Sequence, residues 1–275
     1  MAKNSSDSFV LRPFEGLPGE PDWVAMRELV PAATAPARTT AEHGGRDVLI
    51  TTVLPMAWPA LHRADGVLLL ALQTTTSSGD ASRDLAAALL EAMAVEPGSS
   101  VTAGALPGPG PRLQDVLDLS VPFEVTVHEG FDYWIAPETE RTPELAASLD
   151  EANAGLVPTR KLASVESAYW CRMNGREFLR WSMPHDEDAV MDALARLHAR
   201  RESGFAGGKF VGAFRSSGVV VPVWELPRGT EAEDVEEPAA AFRATFDAAL
   251  ALDTPLDAAE RRARAGLVSR QVTLR

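Results

Sequence analysis

The tetrapeptide Met173-Asn174-Gly175-Arg176 limits the fold of this chain more than any other stretch. An Asn-Gly pair accepts the positive φ angles that a type I′ turn requires at both central positions. That turn is the two-residue connection whose twist suits antiparallel strands. Runs rich in aromatic residues flank the pair, so it predicts a hairpin and, with it, a register. Cys171 faces Phe178, Trp170 faces Leu179, Tyr169 faces Arg180 and Ala168 faces Trp181. Side chains alternate between the two faces of a strand. Trp170, Leu179, Ala168 and Trp181 therefore share one core-like face. The other face is mixed, with Tyr169 and Arg180 placed for a cation–π contact.

The hairpin belongs to the third of four similar units, each of two short β-type runs followed by a helical run. In the first, strands near residues 48–53 and 66–74 lead through Thr74-Thr75-Thr76-Ser77-Ser78-Gly79 to Asp80, a helix N-cap residue. The helix carries Leu85, Leu89 and Met93 on one stripe. In the second, Phe123, Val125 and Val127 alternate with Glu124, Thr126 and His128. The chain turns at Glu129-Gly130, returns over residues 131–135, and opens a helix with Thr142 and Pro143. The third unit ends in a helix from about Asp186. The fourth has strands near residues 209–215 and 219–224, an acidic linker over residues 231–237, and a helix over residues 238–252. Before these units come a short helix at residues 21–30 and an Ala- and Pro-rich loop at residues 31–39. After them come a helix capped by Thr254, with Pro255 and Asp257 behind it, and an edge strand at residues 271–275.

The pattern predicts an α+β fold of two β-β-α-β-β-α lobes, pseudo-duplicated, each an antiparallel sheet with helices on one face. The expected boundaries are an N-terminal segment at residues 1–39, a first lobe at 40–160, and a second lobe with the C-terminal helix at 161–275.

At 275 residues the chain is long enough to bury a core without disulfide staples. Its net charge of −13 gives no overall attraction to nucleic acid or to an anionic membrane. The longest apolar runs, residues 67–73 and 219–223, are too short to cross a bilayer. The single cysteine, Cys171, cannot form an internal disulfide, and the first six residues contain no apolar stretch of a secretory signal. These features predict a cytoplasmic protein with no membrane association.

Motifs that carry chemistry fail on spacing or placement. Gly204-Phe205-Ala206-Gly207-Gly208-Lys209 has glycines, but not at phosphate-loop positions, and a strand follows instead of a helix. Cys171 lies mid-strand among bulky residues, which reads as a packed thiol, not a nucleophile. No zinc pattern is present. No catalytic residue, metal ligand or cofactor is assigned.

Two places retain candidate binding residues. Ser77, Ser78, Asp80, Ser82 and Arg83 line a loop entering a helix, where free amides and the helix dipole favour anions; Asp80 opposes one. His185, Asp186 and Asp188, with Asp192 a turn on, gather carboxylates at another helix start, where they also serve as caps. Arg261, Arg262, Arg264, Arg270 and Arg275 make the C-terminus basic; they read first as complements to the helix dipole or to the acidic linker at residues 231–237, and otherwise as the one route to RNA or to an acidic partner.

Several strings resemble an uncharacterised conserved protein family of actinobacteria, a domain of unknown function. They are Arg12-Pro13-Phe14-Glu15-Gly16-Leu17-Pro18-Gly19-Glu20, Glu28-Leu29-Val30-Pro31-Ala32-Ala33-Thr34-Ala35-Pro36 and Thr76-Ser77-Ser78-Gly79-Asp80-Ala81-Ser82-Arg83-Asp84. Residues 107–114, Met183-Pro184-His185-Asp186-Glu187-Asp188 and residues 262–275 extend the resemblance over the whole length. The resemblance implies no established activity. Such relatives often begin with a strongly basic segment, whereas this chain has only Lys3 there. The expectation is therefore a non-catalytic cytoplasmic binding or scaffold protein with a protein partner. The alternatives are an enzyme with an unfamiliar site and a ribosome- or RNA-associated factor.

Overall fold

The computed structural model describes residues 9–75, 77–102, 104, 106–268 and 272–273. The protein is mixed α+β. It divides into two compact units, the first ending at Leu156 and the second beginning at Val157.

The first unit contains α1 (Glu20–Glu28), β1 (Ala33–Arg38), β2 (Asp47–Thr51), β3 (Ala60–His62), β4 (Leu68–Ala71), α2 (Ala81–Ala94), β5 (Ser99–Val101), α3 (Leu113–Val116), β6 (Thr126–Val127) and α4 (Pro143–Asn153). Its sheet runs in the order β5-β3-β4-β2-β1-β6. All neighbours are antiparallel except β2 and β4, which are parallel. The Leu-rich β4 is buried along its whole length, as a central strand must be.

Two elements here differ from the sequence reading. Residues 31–39 are not a loop, because β1 lies between β2 and β6. Alanine and proline carry little β propensity, so composition hides the strand. Proline is tolerated because β6 pairs only with Ala33 and Thr34, which leaves Pro36 beyond that ladder. The return strand expected at residues 131–135 is a 3₁₀ turn over Asp132–Trp134. Residues three apart nearly eclipse in such a turn. Phe131 and Trp134 accordingly stack with centroids 4.2 Å apart, and this aromatic pairing displaces the hairpin. The β-β-α-β-β-α order is thus not followed in the first unit.

The second unit contains it, with one further strand ahead and a helix and a strand behind. It contains β7 (Thr159–Lys161), β8 (Ala168–Met173), β9 (Arg176–Trp181), α5 (Glu187–Ala199), β10 (Lys209–Ser216), β11 (Val219–Glu225), α6 (Ala232–Leu250), α7 (Ala258–Val268) and β12 (Val272–Thr273). The sheet order is β12-β10-β11-β9-β8-β7, antiparallel except for the terminal β10–β12 pair. β12 is the expected edge strand; the remainder of residues 271–275 lies outside the described residues.

The β8–β9 register is the one the Asn-Gly turn predicts, pair for pair. Asn174 and Gly175 have φ of 51° and 70°. Ala168, Trp170, Leu179 and Trp181 join Trp224, Met191, Leu194, Phe242 and Phe246 in one core, which α5 and α6 cover. The three buried indoles all donate to backbone carbonyls: Trp170 to Thr230 at 3.0 Å, Trp181 to Glu166 at 2.9 Å and Trp224 to Ser203 at 2.7 Å. A Cβ on Gly175 would meet nothing within 4 Å, so its only penalty is the left-handed backbone. Gly175→Ala should therefore cost about 1 kcal/mol in urea unfolding with the register unchanged.

Two helix starts also differ from expectation. α6 begins inside the acidic stretch and contains Pro238. Its early turns are held from outside: Glu236 accepts the amides of Ala163 and Ser164 at 2.9 and 2.8 Å, and its carbonyl accepts the Ser164 hydroxyl at 2.8 Å. Tertiary contacts outweigh the lost proline hydrogen bond. α7 is capped one turn later than Thr254. Asp257 accepts the amides of Ala259 and Glu260 at 2.7 and 2.8 Å, and Glu260 accepts that of Asp257 at 2.8 Å, a capping box.

Candidate functional site

Asp80 is the N-cap of α2, accepting the Arg83 amide at 3.4 Å. Its carboxylate is 8% exposed and is gripped by Arg112, Nε to Oδ2 at 3.0 Å and Nη2 to Oδ1 at 3.3 Å. Asp84 receives the Ser78 amide at 2.8 Å and the Ser78 hydroxyl. Arg83 in turn donates to Ser78 Oγ at 2.6 Å, and Ser77 Oγ accepts the Gly79 amide at 3.2 Å. Ser82 donates to Gln114 at 2.6 Å and accepts the Leu113 amide at 3.0 Å. Gln114 and Arg112 each reach the Pro13 carbonyl at 2.8 Å. Thr76 lies outside the described residues.

The structure thus brings Ser77, Ser78, Asp80, Ser82 and Arg83 together, but it turns them on one another. Asp84 takes the Ser78 amide and hydroxyl that a small anion would otherwise use. The result is a clasp that ties the loop, α2, α3 and the chain near Pro13.

The second candidate group separates by role. Asp186 caps α5, accepting the Ala189 amide at 3.1 Å. Asp188 and Asp192 both receive Arg264 of α7, at 2.6 Å each. His185 is half-buried; burial, with Arg243 nearby, lowers its pKa, and Asp247 opposes the shift. No His, Cys, Asp or Glu cluster able to hold a metal occurs among the described residues.

Arg264 therefore serves α5, and Arg261 donates to the Leu256 carbonyl. Arg270, Arg275 and Lys3 lie outside the described residues.

Other motifs are packing devices. A Cβ at Gly204 would meet the Gly208 carbonyl oxygen at 2.5 Å, so glycine permits a tight crossing there. That crossing seats Phe205 against Phe242, with ring centroids 4.7 Å apart. Cys171 is fully buried, and burial pushes its thiol up despite the neighbouring Arg180.

Two features gave no signal in the sequence. The first joins His128, at the end of β6, to Thr34 of β1 by a 2.8 Å hydrogen bond. Tyr133 packs on His128 at 5.1 Å and bonds Thr52 at 3.2 Å. Thr52 already donates to the Pro31 carbonyl, so the tyrosine hydroxyl is the donor to it. Burial pushes that hydroxyl up to about 12. The second is the connection between β2 and β3. Met56 and Ala57 are consecutive residues in the left-handed region, with φ of 53° and 56°. Leu54 is buried before them and Ala60 after them, while Met56 is 85% exposed. The left-handed conformation costs roughly 1–2 kcal/mol per L-residue. Trp58, half-buried against Leu54, Leu69 and Ala71, anchors the loop.

The model of a family described as "Family of unknown function (DUF5926)" matches residues 13–275. The chain belongs to this family. The match spans both units and every candidate residue above. No curated protein and no solved structure matches. No helix among the described residues is long and apolar enough to cross a membrane.

The histidines set a pH window for this family member. Burial lowers the pKa of both His128 and His185 below the ordinary value of 6.5. As pH falls through about 6.5, the unfolded chain takes up these protons before the folded chain does. Stability should therefore fall as pH drops below about 6.5, ahead of the carboxylates, which titrate lower. His128→Gln with His185→Gln should flatten the thermal midpoint between about pH 7 and pH 5.

Proposed function

We propose that this chain is a non-catalytic cytoplasmic binding or scaffold protein that meets a protein partner through the apolar knob at residues 55–58. The exposed Met56 on a left-handed backbone carries the proposal. Strain of this kind is retained where surrounding structure overrides it, and it gathers at functional positions. A flexible thioether held in water beside a tryptophan suits an apolar socket on another protein. The polar groups that could have carried chemistry are spent elsewhere. Ser78, Asp80 and Arg83 bond within the clasp, and Asp188 holds Arg264. Arg264 of α7 is likewise taken up by Asp188 and Asp192.

Affinity capture from native lysate with the tagged full chain and its Met56→Asp variant tests the reading. A protein retained by the wild type and lost by the variant, with both chains equally stable, is the expected result. Equal capture by the two would remove the knob, and recovery of the chain alone would remove the scaffold.

A further inference from the structure

We infer that, among the described methionines, Met56 is the site at which hydroperoxides oxidise the folded chain, giving a reversible methionine sulfoxide. The inference stands on exposure and does not depend on any partner at the knob. Met56 is 85% exposed, whereas Met26, Met191 and Met183 are 0%, 1% and 2% exposed. Met93 and Met173 are half-buried. Met1 lies outside the described residues.

Oxygen transfer needs the thioether sulfur to reach the peroxide along its O–O axis, with water at hand for the departing oxygen. Sulfur attacks the distal oxygen, the S–O bond forms and the O–O bond breaks. The sulfur loses two electrons and the peroxide is reduced to an alkoxide or hydroxide, which takes a proton from water. The transferred oxygen gives its own proton back to water, leaving the neutral sulfoxide and an alcohol or water. Met56 is the most exposed of the described methionines, so its side chain is the one most open to such an approach.

The competing sulfur is protected. Cys171 has no exposed surface, and its thiol is held protonated by burial. Oxidation at Met56 places a polar oxygen on a side chain that already stands in water, so the fold should survive it. The same exposure opens the sulfoxide to methionine sulfoxide reductases, each of which accepts one epimer.

Millimolar hydrogen peroxide on the full native chain, followed by peptide mapping, reads the site directly. Among the six methionines from Met26 to Met191, Met56 should gain oxygen on the order of tenfold faster than Met93 or Met173. The thermal midpoint should stay unchanged, and in guanidinium the six rates should converge. Met56→Leu should leave only the slow oxidation of Met93 and Met173 over the same exposure. Oxidation of Met93 or Met173 as fast as Met56 in the folded chain would overturn the assignment. A sulfoxide that resists both reductase types would overturn its reversibility.

Discussion

Trp224→Ala should destabilise the second unit by about 4 kcal/mol, the largest single effect expected in this protein. Trp224 sits on β11 opposite Leu179 of β9 and Phe210 of β10. It has no exposed surface. Its ring meets Phe205, Phe210, Phe242 and Trp181 at centroid distances of 5.2, 5.4, 5.5 and 6.2 Å. The first and third of these rings come from the Gly204 crossing and from α6, so the cavity would open between sheet and helices. Truncation also strands the Ser203 carbonyl, which the indole reaches at 2.7 Å. An orphaned buried acceptor adds about 1 kcal/mol or more. Trp224→Phe separates the two contributions. It keeps most of the apolar surface and loses the donor, so about 2 kcal/mol is expected. Urea unfolding combined with hydrogen exchange at the β9 and β11 amides reads both variants. A loss below about 1 kcal/mol for the alanine variant would mean that the ring cluster does not anchor this sheet.

The ease of reading these elements from sequence follows the range of the interactions that make them. The Asn174-Gly175 hairpin is legible because two adjacent residues dictate its turn, and the period of two then assigns each side chain to a face. The Asp80 and Asp186 caps are legible for the same reason, since each bonds an amide three residues on. β1 is not, because its strand state comes from partners at Asp47–Thr51 and Thr126–Val127, not from its own alanines and prolines. The start of α6 is hidden likewise, since residues 163 and 164 support it from across the unit.

The candidate sites divide in the same way. Local spacing found the loop around Ser78 but could not show that Asp84 faces inward or that Arg112 arrives from 32 residues away. Asp188 looked like one of a carboxylate group, and its partner Arg264 lies 76 residues further on. The knob at Met56 left no trace, because neither methionine nor alanine is a residue that signals a left-handed backbone.

Asp84→Ala should cost about 2 kcal/mol and, more tellingly, should make the clasp bind phosphate. Asp84 is the acceptor for both the amide and the hydroxyl of Ser78. Its charge also faces Arg27, whose own pKa is lowered by burial first and supported by Glu28 and Asp84. Hydrogen bonds to a charged group are worth about 1.5–3 kcal/mol, which sets the expected loss. The variant would leave Ser78 N–H and Ser78 Oγ–H without their acceptor at the start of α2, with the Arg83 guanidinium on Ser78 Oγ and Arg27, which keeps Glu28, close by. Such a place attracts an anion. Millimolar phosphate should therefore raise the thermal midpoint of Asp84→Ala while leaving the wild type unmoved, with Asp84→Asn between them. If phosphate stabilises the wild type as much as the variant, the loop at Ser77, Ser78 and Arg83 is a native anion site after all. If it stabilises neither, the guanidinium groups relax when Asp84 is removed, and the clasp is held by packing more than by charge.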